Sequence, residues 1–141
     1  MIIAVELHSD TPLYQQIRDQ VVEGVASGEL RAGDPLPSTR QLASDLGINF
    51  HTVNKGYDSL RAEGLLRLNR KSGAVVQRDS TSGPPSGELV ASWEARARTL
   101  LAEAVAHGMP PAEAIERCQR LMAAFHPQDD ITPNVRSEGS P

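Results

Sequence analysis

The chain has 141 residues, 39% of them hydrophobic and only five aromatic, which allows one domain with an appendage and a modest aliphatic core. It has no run of about 18 apolar residues and no basic start before an apolar stretch, so neither a membrane span nor a signal peptide is expected. The net charge of −4 excludes a uniformly basic nucleic-acid binder, and the single cysteine, Cys118, excludes an internal disulfide and fits the cytoplasm.

Residues 2–7, IIAVEL, read as a short strand or a packed arm. Thr11 and Pro12 look like an N-cap followed by proline at the first helical position. Leu13, Ile17, Val21 and Val25 then recur at spacing four until Gly28, predicting a helix over about 12–27 with this stripe in the core. Residues 29–37 form a proline-rich connector in which Leu30 and Leu36 fill apolar gaps.

Ser38-Thr39-Arg40-Gln41 fits a capping box, with Ser38 bonding forward and Gln41 bonding back. It opens a helix whose Leu42, Ala43 and Leu46 face inward and whose C-cap is Gly47. Asn49 caps the next helix. Val53, Gly56, Tyr57 and Leu60 lie on one face of that helix, and Gly64 ends it. Two short apolar runs, 65–68 and 74–77, flank Asn69-Arg70-Lys71-Ser72-Gly73 and predict a hairpin with a basic tip. Three helices and a hairpin in this order make a winged helix-turn-helix over residues 10–78, with the helix-turn-helix at about 38–63 and the wing at 65–77.

Residues 79–87, DSTSGPPSG, read as a linker. Two further helices follow over 88–126, one marked by Leu89, Trp93, Ala97, Leu100 and Ala104, with Leu101 beside them. The other is marked by Ile115, Cys118, Leu121, Met122 and Phe125. Trp93 and Cys118 are expected to be packed, Cys118 as a small hydrophobe. Two helices alone make a marginal core, so this segment is expected to pair with that of a second chain. Residues 127–141 are polar, rich in proline and expected to be disordered. The fold class is therefore α+β, mainly α.

The acidic net charge hides an asymmetry. Residues 1–78 carry nine basic and nine acidic side chains, whereas residues 79–141 carry five and nine. Phosphate binding needs local positive charge rather than a basic whole. With Val53 and Tyr57 turned inward, Phe50, His51, Thr52, Asn54 and Lys55 are left on the outer side or leading turn of the third helix, the part that enters a major groove. Asn54 suits adenine, Thr52 a phosphate or a thymine methyl, His51 guanine or phosphate, and Lys55 phosphate. Phe50 suits either the DNA or packing against the hairpin. Arg40 in the first turn of its helix opposes the helix dipole by about 0.3–1 kcal/mol, a cost that a bound phosphate offsets. An ion pair with Asp34 or Asp45 is the alternative. Ser38 is mainly a cap, although the free N–H groups beside it suit a phosphate. Arg70, Lys71, Ser72 and Gly73 would bring the wing to the adjacent minor groove or its backbone.

The segment 28–66, GELRAGDPLPSTRQLASDLGINFHTVNKGYDSLRAEGLL, resembles the N-terminal domain of GntR-family bacterial transcription regulators. The matching residues are Gly28, Leu30, Gly33-Asp34, Leu36-Pro37-Ser38, Arg40, Leu42-Ala43, Leu46-Gly47, Thr52-Val53, Tyr57, Leu60 and Glu63-Gly64. The likeness extends from Pro12-Leu13-Tyr14-Gln15-Gln16-Ile17 to Val76. It implies operator contacts from Arg40, His51, Thr52, Asn54 and the wing around Gly73. The short two-helix tail looks like that of the YtrA-type subfamily, which implies dimerisation through the tail. The chain departs from the pattern at Phe50-His51, where Pro-Asn is usual, and in a shorter wing.

Histidines 8, 51, 107 and 126 show no metal-ligand spacing, and no phosphate loop, nucleophile elbow or HExxH motif occurs. No enzyme activity, cofactor or metal is expected, and the sequence identifies no effector. The function expected is a sequence-specific regulator: a homodimeric repressor of double-stranded DNA bearing an inverted-repeat operator. The alternative is a protein-interaction or antitoxin-like module that binds DNA secondarily. An RNA-binding winged helix is disfavoured by the shortage of aromatics for stacking.

Overall fold

The computed structural model describes residues 1–69 and 73–125. The expectations for Arg70, Lys71 and Ser72 at the wing tip, and for the tail 127–141, lie outside the described residues. The elements run α1 (Leu13–Ala26), β1 (Pro35–Leu36), α2 (Thr39–Leu46), α3 (Phe50–Ala62), β2 (Leu66–Asn69), β3 (Gly73–Val76), α4 (Gly87–Ala106) and α5 (Pro111–Ala123). They form two compact units, which divide between Ser82 and Gly83.

In the first unit, Ile17, Val21 and Val25 of α1 meet Leu42 and Ala43 of α2 and Val53, Tyr57 and Leu60 of α3 in one buried cluster, closed by Leu66, Ala74 and Val76 of the sheet. The predicted stripes are therefore the core, apart from Leu13 and Leu46, which are half-buried, Leu46 packing against the cluster. Helix α1 starts one residue later than expected: Pro12 is its N-cap, and the Thr11 side chain supplies no cap bond. Thr11 instead turns outward, its N–H on Ser9 Oγ at 3.1 Å and its carbonyl taking Gln16 Nε2 at 2.8 Å. The N-terminal segment is an arm rather than a strand. Ala4 N–H donates to Gln20 Oε1 and Glu6 N–H to Gln16 Oε1, at 3.0 and 2.8 Å, so two glutamine side chains one helical turn apart replace a strand partner. Ile3 and Val5, on alternate positions, pack onto the core.

The connector contains a strand that the sequence reading missed. Pro35 and Leu36 pair antiparallel with Val75 and Ala74, giving a three-stranded sheet of order β1-β3-β2. Proline is tolerated there because β1 is an edge strand. The hairpin pairs Leu66 with Val76 and Asn69 with Gly73, and Gly73 has φ +73°, a backbone that glycine adopts without Cβ strain.

The turn between α2 and α3 is built by local chemistry. Gly47 has φ +68°, and Ile48 N–H reaches back to Ala43 O at 3.0 Å, the bond of a Schellman motif. Ser38 Oγ accepts from Gln41 N–H at 3.1 Å and Asn49 Oδ1 from His51 N–H at 2.8 Å. Only half of the capping box forms: Gln41 Nε2 points forward to Asp45 Oδ1 at 2.7 Å instead of back to Ser38. At the crossing of α1 and α3, a Cβ on Gly56 would lie 3.0 Å from Tyr14 O and 3.4 Å from Ile17 Cγ2, so glycine permits the close approach. Tyr57 Oη donates to Pro37 O at 2.7 Å and ties α3 to the chain leading into α2; burial pushes its phenol pKa up. Arg18 grips the carboxylate of Glu63 with two donors, joining α1 to the end of α3.

In the second unit, Ser86 caps α4 by accepting from Leu89 N–H at 3.1 Å, and Pro111 opens α5. Among its described residues only Ala114 is buried. Trp93 is 58% exposed and Cys118 is exposed, which corrects the expectation that both are packed. Leu89, Leu100, Leu101, Ile115, Leu121 and Met122 are exposed as well, and Phe125 is half-buried. The physical reason is that two helices touching along one narrow seam cover only residues at the seam, here around Ala114.

Candidate nucleic-acid interface

The outer residues of α2 and α3 converge at the N-terminal ends of the two helices. Neither helix has an acidic residue in its first turn, so the positive ends of both dipoles are unneutralised by their own side chains. Arg40 is exposed, and its guanidinium carbon sits 5.1 Å from the centre of the Phe50 ring. Phe50 is half-buried, packs on the core, and lies with its ring centre 4.2 Å from that of His51. The ion pairs considered for Arg40 are not what holds it. Asp34 instead accepts from Arg31 N–H at 2.8 Å, and Asp45 takes Gln41.

Along α3, His51, Thr52 and Lys55 line a shallow hollow with Leu13 and Tyr14 of α1. Lys55 Nζ lies 4.1 Å from the centre of the Tyr14 ring. Each of these two cations therefore rests on an aromatic face, an arrangement that orients the charge without neutralising it. His51 and Lys55 are exposed, and Thr52 and Asn54 are half-buried on the same outer side, opposite the buried Val53 and Tyr57.

Arg40, Phe50, His51, Thr52 and Lys55 thus form one contiguous surface. Ser38 stands beside it with its hydroxyl engaged as a cap. Gly73 belongs to the hairpin, as the first residue of β3. Tyr14 was missed as a site residue, because residues 14 and 55 are brought together only by the α1–α3 crossing. Among the described residues no group of three metal-ligating side chains occurs, and no helix is long and apolar enough to cross a membrane.

A recognition helix held against a capped partner helix, with a small antiparallel hairpin following it, defines a winged helix-turn-helix DNA-binding regulator. The model of the gntR family of bacterial regulatory proteins matches residues 13–76. The HTH-type transcriptional repressor YtrA of Bacillus subtilis is 33% identical over 87 residues, covering 62% of this chain and 67% of that protein. The solved structure of YtrA from Sulfolobus acidocaldarius, a GntR-family transcription factor, is 40% identical and covers 75% of this chain and 99% of that one, with a TM-score of 0.59. The HTH-type pyridoxine biosynthesis transcriptional regulator PdxR of Corynebacterium glutamicum is 40% identical over 77 residues. That match covers 55% of this chain but only 17% of PdxR. The chain belongs to the GntR family and is a DNA-binding transcriptional regulator of the YtrA type.

Proposed function

We propose that the chain is a homodimeric repressor that binds an inverted-repeat operator, one N-terminal unit (Met1–Ser82, the head) on each half-site. The observation that carries the reading is the continuous outer surface of Arg40, Phe50, His51, Thr52 and Lys55 at two acid-free helix N-termini. Arg40 and Lys55 meet phosphates, together with the helix start at Ser38. His51, Thr52 and Asn54 read base edges, and Gly73 lets the wing backbone approach the duplex. Phe50 supports Arg40 and His51 from beneath. The repressor assignment is supported by the name of the Bacillus subtilis relative.

Dimerisation rests on α4 and α5. Leu89, Trp93, Leu100, Leu101, Ile115, Leu121 and Met122 are exposed on these two helices, and exposed large apolar side chains in such number suit a protein–protein contact. With Phe125 they are the proposed contacts between chains. Sedimentation should show a dimer for the full chain and a monomer for a chain ending at Gly83. A stable complex with a different protein in place of the homodimer would overturn this part.

The reading surface is tested by substitution. Arg40→Ala is expected to weaken binding to every sequence and to lower its salt dependence. Asn54→Ala and His51→Ala should instead relax preference at individual base pairs, by about 1–3 kcal/mol each. Equal losses for all three, blind to sequence, would refute the assignment.

A further inference from the structure

Lys55 of the recognition helix owes its surroundings to another helix. Its neighbours at helical spacing are His51, Thr52, Asp58 and Ser59. Asp58, the single acid among them, is taken by Arg61 at 3.1 Å. Among the described residues no carboxylate stands within salt-bridge distance of Lys55. What the ammonium meets instead is the ring of Tyr14, from the first turn of α1, with Nζ 4.1 Å from the ring centre.

The helix crossing creates this contact. Lys55 directly precedes Gly56, and a Cβ at Gly56 would lie 3.0 Å from the carbonyl oxygen of Tyr14 itself. The missing side chain therefore lets the first turn of α1 come up beside Lys55. Tyr14 is half-buried, whereas Lys55 is exposed. Both line the hollow that they share with Leu13, His51 and Thr52.

We infer that Tyr14 is a positioning residue for DNA binding: its ring holds the Lys55 ammonium beside His51 and Thr52, where a backbone phosphate is met. The inference rests on the reading of Lys55 as a phosphate contact.

The chemistry of the ring suits this role. An aromatic face attracts a cation through its quadrupole and leaves the positive charge in place. A carboxylate in the same position would neutralise the charge, and that ion pair would have to break when DNA arrives. The ring also restrains a long, flexible side chain beforehand, so less rotamer freedom is lost on the phosphate. Phosphate contacts carry no sequence information, so Tyr14 acts on affinity for every sequence alike.

The test titrates the full chain and its variants by fluorescence anisotropy against the DNA that the wild type selects from a random pool. Lys55→Met should weaken binding and reduce the salt slope by about 0.9, the loss of one phosphate contact. Tyr14→Leu should weaken binding about two- to fivefold, the scale of an exposed cation–π contact, and Tyr14→Phe, which keeps the ring, should bind like the wild type. In the Lys55→Met background, Tyr14→Leu should cost nothing further, a non-additivity that a merely structural role would not produce. An equal cost in both backgrounds, or Tyr14→Phe as weak as Tyr14→Leu, would overturn the positioning role while leaving Lys55 as a phosphate contact. Lys55→Met with unchanged affinity and salt slope would overturn both. A measurement on the wild type stands even if Tyr14→Leu fails to fold. In proton NMR the ring current should move the Lys55 ε-methylene signal upfield, and an ordinary lysine position would overturn the inference.

Discussion

Replacing Gly56 by alanine probes the contact that sets the recognition helix on the rest of the head. In an isolated helix this change is favourable by about 1 kcal/mol, because alanine loses less backbone freedom than glycine. Here the added Cβ would sit 3.0 Å from Tyr14 O, with Ile17 Cγ2 at 3.4 Å and Ile17 Cβ at 3.5 Å. The nearest atom is backbone, and Ile17 is fully buried, so neither neighbour swings aside as a flexible side chain would. Relief requires α1 and α3 to separate by a few tenths of an ångström, within a class of overpacking that costs about 1–3 kcal/mol. The net expectation is a loss of about 1 kcal/mol, roughly 4–8 °C in Tm for a domain of this size. Urea and thermal unfolding of the full chain, followed by far-UV circular dichroism, measure it. Operator affinity should fall in parallel, since Lys55 rests on Tyr14 across the same crossing. A variant more stable than the wild type by the full propensity gain would refute the argument, because it would mean that the crossing has room for a methyl group.

Other outcomes follow from single contacts. Phe50→Leu should weaken operator binding about two- to fivefold through the lost face under Arg40, whereas Phe50→Trp should bind like the wild type in fluorescence anisotropy; equal binding by Leu would sink the platform role. Tyr57→Phe removes the 2.7 Å bond to Pro37 O and should cost about 0.5–1.5 kcal/mol in urea denaturation, the low end if water reaches the carbonyl. For Asp79, bonds from Thr81 and the backbone N–H groups of Ala32 and Thr81 hold the carboxyl pKa down to about 2. Its contribution is therefore complete above the ordinary carboxylate range and lost as pH falls through about 2. A carbon-13 titration of that carboxyl should show the low midpoint, and a midpoint near 4 would mean that these hydrogen bonds do not hold in solution.

Much of the head is legible in the chain because its signals are local. The stripes of α1 and α3, Gly47 as a left-handed stop, and the caps at Ser38 and Asn49 each depend on residues within a few positions of one another. Periodicity turns Val53 and Tyr57 inward and so leaves His51, Thr52 and Asn54 on the outer side. The misses have an equally plain cause. A two-residue strand such as Pro35-Leu36 carries too little pattern to announce itself; it exists because β3 offers it a partner. The Gln41 back-bond is a local expectation overridden by another local partner, Asp45, at helical spacing.

The sequence by itself determined the helix-turn-helix, the hairpin and the faces of their helices, because burial periodicity and capping act over one or two turns. Tertiary structure alone decided what sits under Arg40 and Lys55, how closely α1 and α3 cross, and which loop Asp79 reaches. Phe50 beneath Arg40, Tyr14 beneath Lys55 and Asp79 on Ala32 are pairs 10, 41 and 47 residues apart. Such pairs have no spacing rule, since they form only after the core has brought distant segments of chain together.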